Sequence, residues 1–428
     1  VPRSCVPPLV LNAPPLGALL RRYAAGTALT CEPVDEGLLN RGYRLRTTRG
    51  RYFLKHHFDP DTADPASIAR QHRATERLAD LGVPVAPPLP GHDGRTVAVV
   101  GGHAYALHPW IEGRHRHGAQ LTPGQCGRLG ALLGVVHASL EQVMRAAHGE
   151  LLPPARGGHV PRGLGVGPPL DPPPTREPET APETTPHAPE RGSERDPGCD
   201  RGRGPGCAPE GRGGPPERPA RAGHPTAARR GTPAVAADPA PSPDPADTFV
   251  LIDDLLARVR RHHPADSFDE LARHRLLERR ALLERHADRR PPHSGPVGWV
   301  HGDFHPFNLL YRGDAPAAIV DWDRLGVQPR AEEAVRAAAI FFVRPDGTLD
   351  LPKARQYARA YRRAAGATPS ELAAAVHRVW WERLNDFWML RWHYERGDTR
   401  ADSQFPAASA LAVWWTREYD AVCGAFAD

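Results

Sequence analysis

The stretch VHGDFHPFNLLYRGDAPAAIVDWD, residues 300–323, decides how the chain is read. Four residues separate Asp303 from Asn308, and the apolar run Asn308-Leu309-Leu310-Tyr311 then meets a Gly-Asp-Ala-Pro turn at 313–316. A second apolar run follows and ends at Asp321. Two apolar runs about such a turn predict a loop followed by a β-hairpin with a carboxylate at its far end. Loop and hairpin together can bring one carboxylate and one amide close to a second carboxylate.

That trio has a definite chemistry. Magnesium takes hard oxygen ligands and keeps phosphate oxygens in its remaining positions, so Asn308 and Asp321 suit a cation held against a nucleotide, while Asp303 stays free as a base. Two other readings stand beside it. Carboxylates and an Asn in a loop often only cap turns, and His301, Asp303 and His305 could be the ligand cluster of a metal-dependent phosphoesterase. Such a hydrolase would want further His ligands downstream, and residues 306–376 contain none.

Working outward, the segments before residue 112 alternate in short runs: GYRLRTTR (42–49), RYFLKHH (51–57), RTVAVV (95–100) and HAYALHPW (103–110), the last two joined by Gly101-Gly102. These predict antiparallel strands. One helix interrupts them, capped by Asp64 with Pro65 in its first position and ending at Gly82. After Gly113 the spacing turns helical. Thr122 to Gln125 and Thr368 to Glu371 form capping boxes, and the leucines of 248–290 recur at helical intervals. A small antiparallel β lobe (15–112) thus joins a larger α-helical lobe (113–152 and 248–428), an α+β architecture.

Residues 153–247 differ abruptly. They hold 24 of the 49 prolines and 15 of the 41 glycines, no Phe, Tyr or Trp, and 12 arginines against 13 acids. Such a segment cannot bury enough apolar surface to offset chain entropy, so it reads as a disordered insertion. A net charge of +5 over 428 residues is a thin field, which argues against nucleic acid. No apolar run approaches a membrane span, and the proline-broken start lacks the form of a secretory signal, so a cytoplasmic protein is expected. The six cysteines show no metal or redox spacing.

The segment 301–323 resembles the catalytic loop of the aminoglycoside phosphotransferase, choline kinase and homoserine kinase-like superfamily, relatives of protein kinases. The match is HGDxHxxN followed by an apolar-Asp-Trp segment. The resemblance implies a two-lobed protein-kinase-like fold and transfer of the γ-phosphoryl group of MgATP to a small-molecule hydroxyl. The acceptor would be an aminoglycoside, amino alcohol or sugar, whether cationic or not, with no nucleic acid or membrane partner. It further implies Asp303 as the base and Asn308 and Asp321 as magnesium ligands. His301, His305 and Asp323 are further candidates for supporting the site or touching substrate. Phosphoryl transfer also needs a cation on a strand. The chain has only two lysines, and Lys55 in YFLKHH is one of them, with Glu76 on the following helix as its expected ion-pair partner. Upstream, EGLLNRGYRLRT resembles the phosphate-covering turn of this family, with Gly37, Asn40 and Gly42 allowing close backbone approach. YALHPWIEG (105–113) resembles its hinge, with ATP or GTP left open. A nucleotide-binding protein without transfer activity is the alternative on the same fold.

For the acceptor, Trp381, Trp388 and Trp392 recur on what reads as one C-terminal helix. A helical aromatic stripe can be core or a box for an ammonium group. Glu382, Asp386, Glu395 and Asp398 could attract an amino sugar or form a plain solvated face.

Overall fold

A computed structural model describes residues 14–34, 40–58, 63–147, 241–292 and 295–428. The chain divides into two units, Val1–Leu152 with Ala234–Asp428, and Pro153–Pro233. The second unit lies outside the described residues, as do all but the last few positions of the expected insertion.

The first lobe begins with helix α1 (Leu16–Arg22) and an antiparallel sheet of β1 (Ala28–Val34), β2 (Arg41–Thr47) and β3 (Arg51–His57). Helix α2 (Pro65–Asp80) follows, then β4 (Val97–Val100) and β5 (His103–Pro109), giving the strand order β1-β2-β3-β5-β4. Alternation along β3 sorts its side chains onto two faces. Leu54 is fully buried and packs with Leu45, Leu107 and the α1 residues Leu19 and Leu20. Lys55 and His57 point to the other face, on the side of α2. Asp64 caps α2 as expected, accepting the backbone N–H of Ser67 at 2.9 Å. Gly101 and Gly102 turn β4 into β5 with φ of +61° and +82°, open to glycine at no steric cost. The edge strand β1 gave no apolar alternation to read because most of it is exposed; its backbone ladder to β2 holds it.

The second lobe is mainly helical: α3 (Pro123–Ala147), α4 (Pro245–Arg261), α5 (Ser267–Arg285), α6 (Arg330–Phe342), α7 (Leu351–Ala365), α8 (Pro369–Asn385), α9 (Trp388–Arg391), α10 (Phe405–Arg417) and α11 (Tyr419–Ala427). Its core includes the fully buried Trp380, Trp381, Trp415, Tyr357 and Tyr361. Helices α3 and α7 touch backbone to backbone, since a Cβ at Gly130 would overlap the Tyr357 carbonyl. Two strand pairs sit between the helices. One is the expected hairpin, β7 (Leu309–Arg312) with β8 (Ala315–Ile319). The other was not expected: β6 (Val297–Val300) pairs with β9 (Gly326–Pro329), and four-residue strands so far apart in sequence carry no local signature. Ile319 also donates its N–H to the Pro84 carbonyl at 2.7 Å, tying the hairpin to the first lobe.

Two expectations need correcting. The second lobe starts before 248, because Pro245, Ala246 and Asp247 belong to α4. Asp244 caps that helix, and Ser242 Oγ donates to the Pro291 carbonyl at 2.9 Å. The Asp-Pro pair at 244–245 repeats the cap at 64–65 and was the overlooked signal. Nor do the tryptophans share one helix. α8 ends at Asn385, and Trp392 opens a π-helical turn that runs to Arg396. Trp381 is core, its Nε1 donating to the Pro243 carbonyl at 3.0 Å, while Trp388 and Trp392 are half-buried and meet edge to face.

Candidate active site

Lys55 is the point from which the site is built. It is buried on β3, and its Nζ lies 2.6 Å from Asp321 Oδ1 and 2.7 Å from Asp323 Oδ2. Burial alone would lower the ammonium pKa, but the carboxylates of Asp321 and Asp323 more than offset this and raise it. Desolvation opposes ionisation of Asp321, yet Lys55 holds its carboxyl well below the usual carboxylate range. Asp323 moves the other way, its pKa raised by burial and by the neighbouring Asp321 charge. One lysine therefore serves two carboxylates, whose pKa values it and burial drive in opposite directions.

Backbone geometry aims Asp321. Its φ of +61° lies in the left-handed region that Asp tolerates better than most residues, and it turns the chain sharply at the end of the hairpin. The side chain stays 43% exposed, so part of the carboxylate remains open beyond its ion pair.

The loop of Asp303 is fixed from behind. His301 is fully buried; its Nε2–H donates to the Val320 carbonyl at 3.0 Å and its Nδ1 accepts the Asp303 N–H at 3.2 Å. Both ring nitrogens are thereby used, and burial lowers the pKa of the ring. Gly302 has a φ of +86°, and a Cβ there would overlap the Arg324 carbonyl. Glu333, buried on α6, accepts the backbone N–H groups of His301 and Gly302 and pairs at 2.7 Å with His137 of α3. Neither Glu333 nor His137 was singled out from sequence, because nothing local marks an interior acid whose partners lie on another helix and another loop.

Asn308 donates to the Asp303 carbonyl at 2.8 Å and sits 3.2 Å from His305 Nε2. This leaves the Asn308 carbonyl oxygen available to a cation, so one amide oxygen and one carboxylate, with hard donors only, fit magnesium. Burial pushes the Asp303 carboxyl up, but the imidazole of His305, 3.6 Å away, brings the balance below the usual value. His305 thus faces both Asp303 and Asn308.

From the first lobe, Asn40 Nδ2 donates to Asp323 Oδ2 at 2.5 Å, and Gln71 Nε2 donates to the Asp323 carbonyl at 2.8 Å. Gly42 lies opposite Lys55 in the β2–β3 register and leaves room for the Phe53 ring, which a Cβ would meet at 2.7 Å. Gly37 lies outside the described residues. Glu76 is not brought to Lys55. The structure holds no ion pair between these two described residues, and α2 instead buries His72 against His108, ring centroids 5.7 Å apart. The two carboxylates flanking Trp322 take the role expected of Glu76.

The hydrolase arrangement finds no geometric counterpart, since among the described residues no group of three or more His, Cys, Asp or Glu is placed to hold a metal. Nor is any helix among them long and apolar enough to cross a membrane.

Homoserine kinase of Bartonella tribocorum is 27% identical over 122 residues, 28% of this chain and 37% of the relative. Homoserine kinase of Burkholderia ambifaria (strain MC40-6) is 31% identical over 124 residues, 28% and 35% of the two chains. The match thus spans little more than a third of the curated relatives' length. Amicoumacin kinase hAmiN in complex with AMP-PNP, Ca2+ and Ami shares the fold, with a TM-score of 0.50 at 12% identity over 94% of this chain and 92% of that one. The architecture is therefore the two-lobed, kinase-like one, with a small antiparallel lobe and a larger helical lobe. A model of the APH family, described as "Phosphotransferase enzyme family", matches residues 30–200 and 210–367, and that span includes every residue of the Lys55–Asp303–Asn308–Asp321 cluster. By that match the chain belongs to the phosphotransferase enzyme family.

Proposed function

We propose that the protein transfers the γ-phosphoryl group of MgATP to a hydroxyl of a small molecule, an amino alcohol, sugar or aminoglycoside, in the cytoplasm. The observation that carries this reading is the ion-pair triangle of Lys55, Asp321 and Asp323, set beside the Asp303–Asn308 loop. Asn308 and Asp321 would hold magnesium, which when bound neutralises charge on the nucleotide phosphates. Lys55 exchanges one carboxylate for a phosphate oxygen, and Asn40 and Gly42, at the start of β2, line the approach to it. Asp303 accepts the proton of the acceptor hydroxyl as that oxygen attacks phosphorus. Such catalysis is positioning and charge complementarity on a rigid frame. Similarity to homoserine kinases over part of the chain supports a small hydroxyl acceptor.

Calorimetric titration with MgATP, together with ATP turnover across a panel of hydroxyl acceptors, tests the proposal. Asp321→Ala should abolish magnesium-dependent nucleotide binding, because it removes the one carboxylate assigned to the metal. Unchanged MgATP affinity in that variant would overturn the metal assignment, and phosphate release from esters without ATP would overturn the reaction class.

A further inference from the structure

Away from this cluster, a cleft of ≈ 500 Å³, its open mouth included, lies where α5, the α8–α9 junction and α10 meet. Three arginines line it, Arg275 and Arg279 from α5 and Arg383 from α8, with Asp386 as the only acid. Their charges are incompletely answered. Arg275 pairs with Glu278 at 2.6 Å. Arg279 is 5% exposed; its guanidinium donates to the Arg383 carbonyl and lies 5.2 Å from the Phe387 ring centroid, and no carboxylate among the described residues is within ion-pair distance. Arg383 likewise has no ion pair among the described residues. The Nε atoms of Arg275 and Arg383 are buried without a hydrogen-bond partner. Glu382, which also acts on Arg383, is taken up by Arg336 at 2.7 Å, so with Glu278 and Asp386 both counted as ionised the three arginines keep one positive charge over.

A buried cation without a counter-ion is costly, and so is each orphaned N–H. Arginine rather than lysine at all three positions offers planar donor forks matched to carboxylate and phosphate. Burial has already pulled the Arg279 pKa down to about 10, the response of a cation short of a partner. Half-buried Trp388 and the buried hydroxyl of Ser409 complete the wall. We infer that this cleft is a binding site for a small oxyanion, a carboxylate or phosphate group, held by Arg275, Arg279 and Arg383.

The inference does not rest on the phosphotransfer reading, and binding tests it directly on the full chain. Inorganic phosphate and glycerate are titrated calorimetrically against protein saturated with MgAMP-PNP, so that the nucleotide site is closed to them. A probe at ten times its Kd is expected to raise Tm by about 2 °C. Arg383→Gln should weaken probe binding tenfold or more and leave MgAMP-PNP affinity within twofold. Ser409→Asp, which plants a carboxylate in the cleft, should block the probe in the same way, so one misfolded variant does not hide the answer. Absence of binding to nucleotide-saturated wild type, or equal binding by wild type and both variants, overturns the site. An active acceptor with and without a carboxylate then identifies the source of the anion. If Arg383→Gln raises KM tenfold only for the carboxylate-bearing partner, the oxyanion is part of the acceptor; if KM is unchanged while phosphate binding is lost, it is a free anion.

Discussion

Asp303 has its backbone pinned on both sides, by His301 and by Asn308. If it is the base, Asp303→Asn should lower turnover by ~10² or more and leave MgATP affinity within a few-fold, since the group acts in the transition state and is not a metal ligand. Single-turnover kinetics beside equilibrium nucleotide binding separate the two effects. The pH profile carries a second prediction. A base works ionised, and the Asp303 pKa is held below 3.8 by His305 against the opposing effect of burial. The acid limb of kcat/KM due to Asp303 should therefore fall below 3.8. Removing the imidazole in His305→Ala leaves burial unopposed by that partner, so the limb should move upward. An acid limb unmoved by the substitution would deny His305 this part.

At the scale of elements, α6 acts as the clamp of the Asp303 loop. Glu333 gathers two loop N–H groups and an imidazole from α3 inside the core. Glu333→Gln keeps the shape but turns one acceptor into a donor facing donors, and should cost about 1–3 kcal/mol in urea unfolding. Turnover should fall further than nucleotide affinity, because the loop holding Asp303 loosens. The sign with pH follows from the depressed pKa, which burial raises and His137 more than restores downward. Stability from this group is fully present above the ordinary Glu value of 4.5 and is lost as pH falls through the lower folded value. The variant should flatten that part of the stability–pH curve. Capping boxes, the hairpin turns and the β3 alternation could all be read in advance because their physics is local. The β6–β9 pair, the exposed edge β1 and the break in the tryptophan stripe at Asp386 could not, since distant partners decide them.

For the whole molecule, the Pro- and Gly-rich segment makes a composition-based prediction that the fold now bounds. Replacing 156–238 with a Gly-Ser linker of about 8 to 20 residues should keep turnover within about threefold, because loop-closure entropy grows slowly with length. Extending the deletion through 244 should instead lower the melting temperature, since it removes the Asp244 cap and its ion pair with Arg290, and the Ser242–Pro291 bond. Thermal melts of the two deletions compare the outcomes directly. The sequence by itself determined the order of the lobes, the helix caps and the 303–308 loop with its hairpin, because each rests on spacing and turn chemistry within a few residues. Rarity did the same for Lys55, one of two lysines in the chain. What Lys55 pairs with was decided only by tertiary structure: α2 turns His72 rather than Glu76 inward, and the lobes bring Asp321 and Asp323 to the ammonium. The same holds for Glu333 and for the arginines of the second cleft, because ion pairing in a core depends on which charges folding brings together and strips of water.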